Sequence, residues 1–321
     1  MNSLQQLKQY TVIVADTGNL QAIQQLQPQE ATTNPTLVTQ ACQSAENLHL
    51  LESAYQQAKQ QYLTGNDLLN RTIDILTVEL GVEILKHIDG RVSTEIDAEL
   101  SYNTQATIDK AMQIIELYQQ KGIDKNRVLI KIASTWQGIQ AARYLEQHAI
   151  HCNLTLLFGL HQAQACADAK VTLISPFVGR ILDWYKKHEN VESYPIEQDK
   201  GVLSVRQIYQ YYKQNNIQTQ IMGASFRSTE QILALAGCDL LTISPALLQQ
   251  LSTQNKIVIS QLNHDFASNS PSIQRAPQTE QSFLDELNAD PMASELLQQG
   301  IDGFIHAKQQ LMDLLKAQFE F

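Results

Sequence analysis

A lysine in the middle of an apolar, β-branched segment is the residue with the clearest potential for chemistry. Lys131 lies in "RVLIKIAS", with Ile130 and Ile132 on either side. Successive side chains of a β-strand point to opposite faces, so the isoleucines and Lys131 are expected on different sides. An amine in a restricted, partly dry interior has its ammonium form disfavoured, and the neutral amine attacks carbonyl carbons to form Schiff bases. The alternative is a structural lysine that is ion-paired with Asp16 or Glu95.

Polar side chains also occur near the ends of other strand-like segments. Asp16 ends "TVIVAD", and the inward set of "RVSTEID" is predicted to be Ser93, Glu95 and Asp97. Each alone has a more ordinary explanation as a cap, a turn residue or a surface charge, but together they come from seven segments and favour a shared active site. The other candidates are Thr32, Asn34, Asn153, Thr155, Ser175, Phe177, Arg180, Ser225 and Arg227.

This set of residue types supports one kind of reaction. A protonated Schiff base on Lys131 is an electron sink when a neighbouring C–C bond breaks, and Asp16 and Glu95 could divide the proton transfers. Arg180 and Arg227, with Ser225, would bind an anion; Arg227 follows the seventh segment, where barrel phosphate sites often lie. The residues therefore predict a Schiff-base lyase or transferase that acts on a phosphorylated sugar.

Eight strand-like segments must position these residues. Helical patterns separate most of them, which favours parallel βαβ units and an α/β fold, a single (β/α)8 TIM barrel, over an open sheet. No GxGxxG follows an early strand, which disfavours a dinucleotide-binding sheet. The predicted strands are 11–16, 30–34, 91–97, 127–134, 152–158, 171–177, 219–226 and 240–244.

Additional helices are predicted outside the repeating units. The inserted segment at about 36–88 has two helical stretches, 36–63 and 67–88, and a helical extension covers about 281–319. No linker divides the chain, so residues 1–321 are expected to form one domain with these additions. Thr135 and Ser204 are predicted to be helix N-caps.

Composition limits the partners and the compartment. The 321 residues include 33 acidic and 23 basic side chains, a net charge of −10 that disfavours nucleic acid and anionic membranes as partners. The four cysteines form no CxxC pair, and the histidines show no HxxxH or HExxH spacing, so we expect no metal site. No apolar run reaches membrane-span length and no secretory leader is evident, so we expect a cytoplasmic protein.

Several long strings, in order, resemble the transaldolase family, and specifically its longer classical members. They run from about residue 5 to near the C-terminus: "VADTGN", "EATTNPTL", "VSTEIDAELSYN", "VLIKIASTWQGIQAA", "CNLTLLF", "ISPFVGRILDWY" and "MGASFRS", with "DPMA" in the tail. Phe177 in "SPFVGR" matches the residue typical of transaldolases, whereas the aldolase-like relatives usually differ there.

The resemblance implies an enzyme of the non-oxidative pentose phosphate pathway. Such an enzyme moves a dihydroxyacetone unit from sedoheptulose 7-phosphate to glyceraldehyde 3-phosphate and gives erythrose 4-phosphate and fructose 6-phosphate. Its substrates would be sugar phosphates, and it would form a homodimer. It would use no cofactor or metal. Two alternatives stay open: a Schiff-base aldolase that releases free dihydroxyacetone, and a non-catalytic barrel that binds sugar phosphates.

The resemblance also implies roles for individual residues. Lys131 would form the Schiff base, Asp16 would exchange the proton of the hydroxyl at the breaking bond, and Glu95 would act through a water positioned by Thr155. Thr32 would belong to the substrate site, as would Phe177. The implied ligands of the dihydroxyacetone hydroxyls are Asn34, Asn153 and Ser175, and those of the phosphate are Arg180, Ser225 and Arg227.

Overall fold

Eight parallel strands close into a barrel in the computed structural model, which describes residues 1–44 and 47–321. Each strand pairs with its neighbours in sequence, and the last pairs with the first. The predicted (β/α)8 TIM barrel is therefore confirmed. Strands β1 to β8 are Val12–Asp16, Glu30–Thr32, Val92–Glu95, Val128–Ala133, Cys152–Leu157, Leu173–Pro176, Gln220–Gly223 and Leu240–Ile243.

Helices surround the barrel. Within the described residues, α1 to α15 are Ser3–Leu7, Leu20–Leu26, Pro35–Cys42, Leu48–Lys59, Gly65–Leu85, Thr104–Gln120, Trp136–Gln147, Leu160–Ala169, Gly179–Glu189, Lys200–Gln214, Thr229–Leu233, Pro245–Thr253, His264–Asn269, Glu280–Ala289 and Pro291–Gln318. No helix in the described ranges combines the length and the apolar character needed to cross a membrane.

Alternation along the strands separates two apolar clusters. Val128, Ile130 and Ile132 of β4 belong to the large cluster between the strands and the outer helices. Leu129 belongs instead to a small cluster inside the barrel, in which the other strands contribute similar side chains. Because Lys131 follows Leu129 by two residues, it enters the same interior one layer closer to the carboxyl ends of the strands. The small interior cluster consists of Val14, Leu129, Leu173, Met222 and Leu240, with Val12 packed against it.

The strand register places the polar interior residues at matching heights. Asp16 is paired with Thr32, and Lys131 is paired with Glu95 on one side and Asn153 on the other. The register between β5 and β6 shifts between Leu154 and Leu157, where a β-bulge or a similar irregularity interrupts the pairing. Bulges are common at barrel rims, where they redirect side chains next to a site.

Helix boundaries differ from the sequence-based prediction in two places. Three helices, α3 to α5, occupy the interval for which two stretches were predicted, and positions 45 and 46 of that interval lie outside the described residues. Thr135 caps α7 by accepting a hydrogen bond from the Gly138 amide, as predicted. Ser204 does not cap α10, because the helix begins at Lys200 and the carboxylate of Asp199 accepts from the first amides.

The last helix, α15, packs across the carboxyl ends of the strands. Its residues Leu296, Ile301 and Phe304 form an apolar cluster with side chains from the barrel rim. Gly300 allows this close approach, since a Cβ there would lie 2.5 Å from a methyl carbon of Leu156. The helix that ends the chain therefore forms part of the wall above the barrel mouth.

Candidate active site

Lys131 lies in the interior of the barrel mouth. Its side chain is 7% exposed, and its Nζ donates a hydrogen bond of 3.1 Å to the carbonyl oxygen of Thr33. The same Nζ lies 3.1 Å from Oε2 of Glu95, which comes from the adjacent strand. The amine therefore has a backbone acceptor that holds it in place and a carboxylate within reach of its proton.

Glu95 is the most deeply buried acid of this group. Its side chain is only 3% exposed, and burial raises the pKa of its carboxyl above the ordinary value even though the charge of Lys131 opposes this shift. A carboxyl whose pKa is raised in this way can hold and release a proton nearer to neutral pH. Glu95 has the environment of a general acid and base that acts beside an amine.

Asp16 is held at the end of β1 by hydroxyl groups. The Thr32 hydroxyl donates to Oδ1 of Asp16 at 3.0 Å, and it shares a hydrogen bond of 2.7 Å with the hydroxyl of Thr242. Thr32 and Thr242 come from β2 and β8, the two neighbours of β1. Three adjacent strands thus fix the orientation of this carboxylate, which lines the cavity above the barrel.

A chain of hydrogen bonds crosses the interior from β3 to β6. The Ser175 hydroxyl donates to Oδ1 of Asn153 at 2.6 Å, and Nδ2 of Asn153 donates to Oγ of Ser93 at 3.0 Å. Asn153 is paired in register with Lys131, so the chain passes directly beside the amine. These groups form a fixed set of donors and acceptors that can read the hydroxyls of a ligand.

Thr155 carries a buried hydroxyl without a partner among the described residues. The residue is fully buried, two positions beyond Asn153, and its Oγ1 makes no hydrogen bond there. Buried polar groups are nearly always paired, so such a hydroxyl is expected to serve a water or a ligand. It faces the same cavity as Lys131 and Asp16.

Two arginines form a cationic end to the cavity. The guanidinium of Arg227 lies 2.9 Å from Oδ2 of Asp183 and 3.4 Å from Oγ of Ser225, a residue with φ of 60°. Arg180 lies at the start of α9, and burial and then the charge of Arg227 lower the pKa of its guanidinium. Two cations that disfavour each other in this way are stabilised by an anion between them, and phosphate fits such a pair.

One cavity of about 200 Å³ at the barrel mouth joins these groups. Glu95 and Asn153 do not line the cavity. Glu95 lies beside the Lys131 amine, and Asn153 accepts a hydrogen bond from the Ser175 hydroxyl. The other ten of the twelve predicted site residues line the cavity: Asp16, Thr32, Asn34, Lys131, Thr155, Ser175, Phe177, Arg180, Ser225 and Arg227.

Five further residues line this cavity without having been predicted: Ala224, Phe226, Thr242, Ser244 and Phe304. Thr242 lies in β8 and Ser244 directly follows it, and alternation from the interior residue Leu240 would have found both. Phe304 enters from α15, and no local pattern in the sequence predicts that contact.

Asp97 is a correction to the predicted inward set. The strand ends at Glu95, a short 3-10 turn begins at Ala98, and Asp97 instead pairs with Lys110 at 3.3 Å and Lys308 at 3.0 Å. Alternation fails there because it applies only while the backbone stays extended.

Metal chemistry has no evident site in the part of the chain that the structure describes. No three histidine, cysteine, aspartate or glutamate side chains come close enough together in residues 1–44 and 47–321 to hold a metal ion. The groups that face the cavity are an amine, a carboxylate, hydroxyls, an amide and two guanidinium groups, and this set is suited to covalent and acid–base chemistry.

Comparison with known proteins agrees with this geometry. The relatives named transaldolase include one from Thermosynechococcus vestitus, 51% identical over 98% of this chain and 81% of its own length. Another, from Cellvibrio japonicus, is 51% identical over 98% of both chains, and transaldolase A of Salmonella typhimurium is 50% identical over 99% of both. The family model described as transaldolase/fructose-6-phosphate aldolase matches residues 13–315, and the chain belongs to that family.

Proposed function

We propose that this chain is a transaldolase that transfers a dihydroxyacetone unit between sugar phosphates through a Schiff base on Lys131. The donor would be sedoheptulose 7-phosphate and the acceptor glyceraldehyde 3-phosphate, in the pentose phosphate pathway. The observation that carries the proposal is the buried Lys131 amine, 3.1 Å from Glu95, in a cavity that also contains two arginines. Relatives that are about half identical over nearly the whole chain support the same activity.

The covalent steps can be assigned to atoms of this site. The neutral Nζ of Lys131 attacks the keto carbon of the donor, and Glu95 supplies the proton with which the carbinolamine loses water. Asp16 takes the proton from the hydroxyl on the far carbon of the bond that breaks, and that carbon becomes the aldehyde of the released product. The C–C electron pair passes into the protonated imine and leaves an enamine on Lys131. Thr155 positions the water that later returns for hydrolysis, and its unpartnered hydroxyl supports this role.

The remaining polar residues bind the parts of the substrate that do not react. Asn153 and Ser175 hold hydroxyls of the dihydroxyacetone part, and Asn34, which lines the same cavity as Ser175, holds another. The phosphate is bound by Arg180, Arg227 and Ser225. Binding energy from that distant group holds the keto carbon against the amine, which favours the attack.

Incubation with donor alone separates transfer from simple aldol cleavage. Fructose 6-phosphate without an aldehyde acceptor should give at most one equivalent of cleavage per active site, because the dihydroxyacetone enamine stays on Lys131 until an acceptor arrives. Addition of erythrose 4-phosphate should then restart turnover. Rapid and continuous release of free dihydroxyacetone without acceptor would identify an aldolase and contradict the transfer reaction.

Assembly, domain organisation and location stay predictions. A homodimer follows from the family resemblance alone, and light scattering coupled to size-exclusion chromatography tests it. A cytoplasmic location is supported by four free cysteines that are all buried. The single-domain organisation of residues 1–321 predicts one cooperative unfolding transition, which calorimetry can test.

A further inference from the structure

The two arginines of the cationic end are held in different ways. Arg227 has a carboxylate partner, since both its Nε and its Nη2 lie 2.9 Å from Oδ2 of Asp183. The Arg180 side chain makes no hydrogen bond or ion pair to any residue that the structure describes in 1–44 and 47–321. Its guanidinium carbon lies instead 5.0 Å from the ring centre of Phe177 and 6.0 Å from that of Phe304.

Aromatic rings can fix a guanidinium without using its hydrogen-bond donors. A cation within about 6 Å of a ring centre is attracted by the ring, and the attraction grows when water is excluded. Both rings here are buried, at 7% exposure for Phe177 and 4% for Phe304. All five N–H groups of Arg180 therefore stay available for an anionic ligand.

Phe304 owes its position to a buried ionic anchor on the same helix. Lys308 lies one turn further along α15, on the same face, and its Nζ is 3.0 Å from Oδ1 of Asp97 and 2.9 Å from Oε2 of Glu99. The single hydroxyl proton of Thr39 is shared between the carbonyl oxygen of Ala307 at 3.0 Å and that of Pro35 at 2.9 Å. Contacts to the β3 rim and to α3 thus fix the turn that carries Phe304.

We propose that Phe304 is a positioning residue for phosphate recognition, which holds the guanidinium of Arg180 against Phe177 with its donors directed to the ligand. The inference rests on the proposed function, in that Arg180 binds the substrate phosphate. The C-terminal helix then contributes to substrate selection, and it does so without touching the reacting carbons.

The test compares Phe304→Leu with Phe304→Tyr, which keeps the ring. Phe304→Leu should raise the KM for fructose 6-phosphate and the inhibition constant of inorganic phosphate by about three- to tenfold. Borohydride trapping of free dihydroxyacetone, which has no phosphate, should stay at the wild-type rate, and Phe304→Tyr should retain most of the phosphate affinity. Phe319→Leu is the matched control, because Phe319 ends the same helix but stacks on Tyr55 at 4.5 Å.

A double-mutant cycle with Arg180→Ala distinguishes the ways in which the proposal can fail. If Phe304 acts through Arg180, then Phe304→Leu should have no further effect on phosphate affinity in the Arg180→Ala background. Equal losses with phosphate and with dihydroxyacetone, or a full effect in that background, would overturn the role of Phe304 alone. An Arg180→Ala variant with unchanged phosphate affinity would overturn the phosphate site itself.

Discussion

Replacement of Lys308 by methionine tests how firmly α15 is attached to the barrel. Methionine keeps most of the length and the apolar stem of lysine but removes the charge. In the wild type, the Lys308 side chain is 10% exposed and contacts Asp97 and Glu99. The variant leaves Asp97, which is 16% exposed, with Lys110 as its remaining cationic partner at 3.3 Å.

The expected loss in the free energy of unfolding is about 2–3 kcal/mol. Removal of one partner from a buried ion pair costs about 3–5 kcal/mol, since the other charge stays buried without compensation. Here the cost should fall below that range, because Lys110 still neutralises Asp97 and the half-exposed Glu99 can be hydrated. Lys316→Met is the matched control, because Lys316 lies exposed in the last turn of the same helix, and its loss should be within about 0.5 kcal/mol.

Urea unfolding at several pH values measures this loss and its origin. Burial alone would raise the pKa of Asp97, but Lys110 and Lys308 outweigh it and hold the pKa below the ordinary 3.8. The stabilisation is therefore fully present above pH 3.8 and is lost as the pH falls through the lower value of the folded state. The pKa of Lys308 is raised above 10.5, so the contribution also persists up to that pH. A difference between wild type and variant that is below 0.5 kcal/mol at pH 7, or that does not shrink in acid, would refute the reasoning.

Three further variants test the chemical assignments. Lys131→Ala should abolish transfer and covalent trapping, while circular dichroism shows that the protein stays folded. Turnover or trapping that persists in this variant would mean that another amine forms the Schiff base, and it would contradict the assignment. Arg227→Ala should raise the KM for fructose 6-phosphate with little change in kcat, whereas an unchanged KM would show that the phosphate lies elsewhere. Glu95→Gln should lower kcat by about 10²–10⁴-fold. It should also remove a limb of the pH–rate profile above pH 4.5, because burial raises the pKa of Glu95. If the limb stays in place, the ionisation that produces it belongs to another group.

Alternation along strands explains why much of the site could be predicted from sequence. Lys131 faces the interior because Leu129 does, and Asp16 follows Val14 in the same way. The method is reliable in a closed barrel, where both faces of each strand are fixed by packing. The same alternation places Thr242 inward, two residues after Leu240, whereas it fails at Asp97, where the chain leaves the strand.

Contacts between distant segments could not be predicted in this way. Phe304 meets Arg180 across more than 100 residues of sequence, and Lys308 meets Asp97 across a still longer interval. Neither pair has a spacing or a motif that signals it. Local competition also limits prediction: Ser204 and Asp199 can both cap a helix, and only the tertiary structure shows that α10 starts at the earlier residue.

The most direct test of the covalent step is reduction of the enzyme with borohydride in the presence of fructose 6-phosphate, followed by peptide mass spectrometry. The Schiff base predicts one reduced dihydroxyacetone adduct per chain, located on Lys131, with a matching loss of activity. Inorganic phosphate at high concentration should slow the labelling, since it competes for the arginine pair. An unmodified Lys131 under conditions in which the enzyme turns over, or an adduct on a different lysine, would contradict the mechanism.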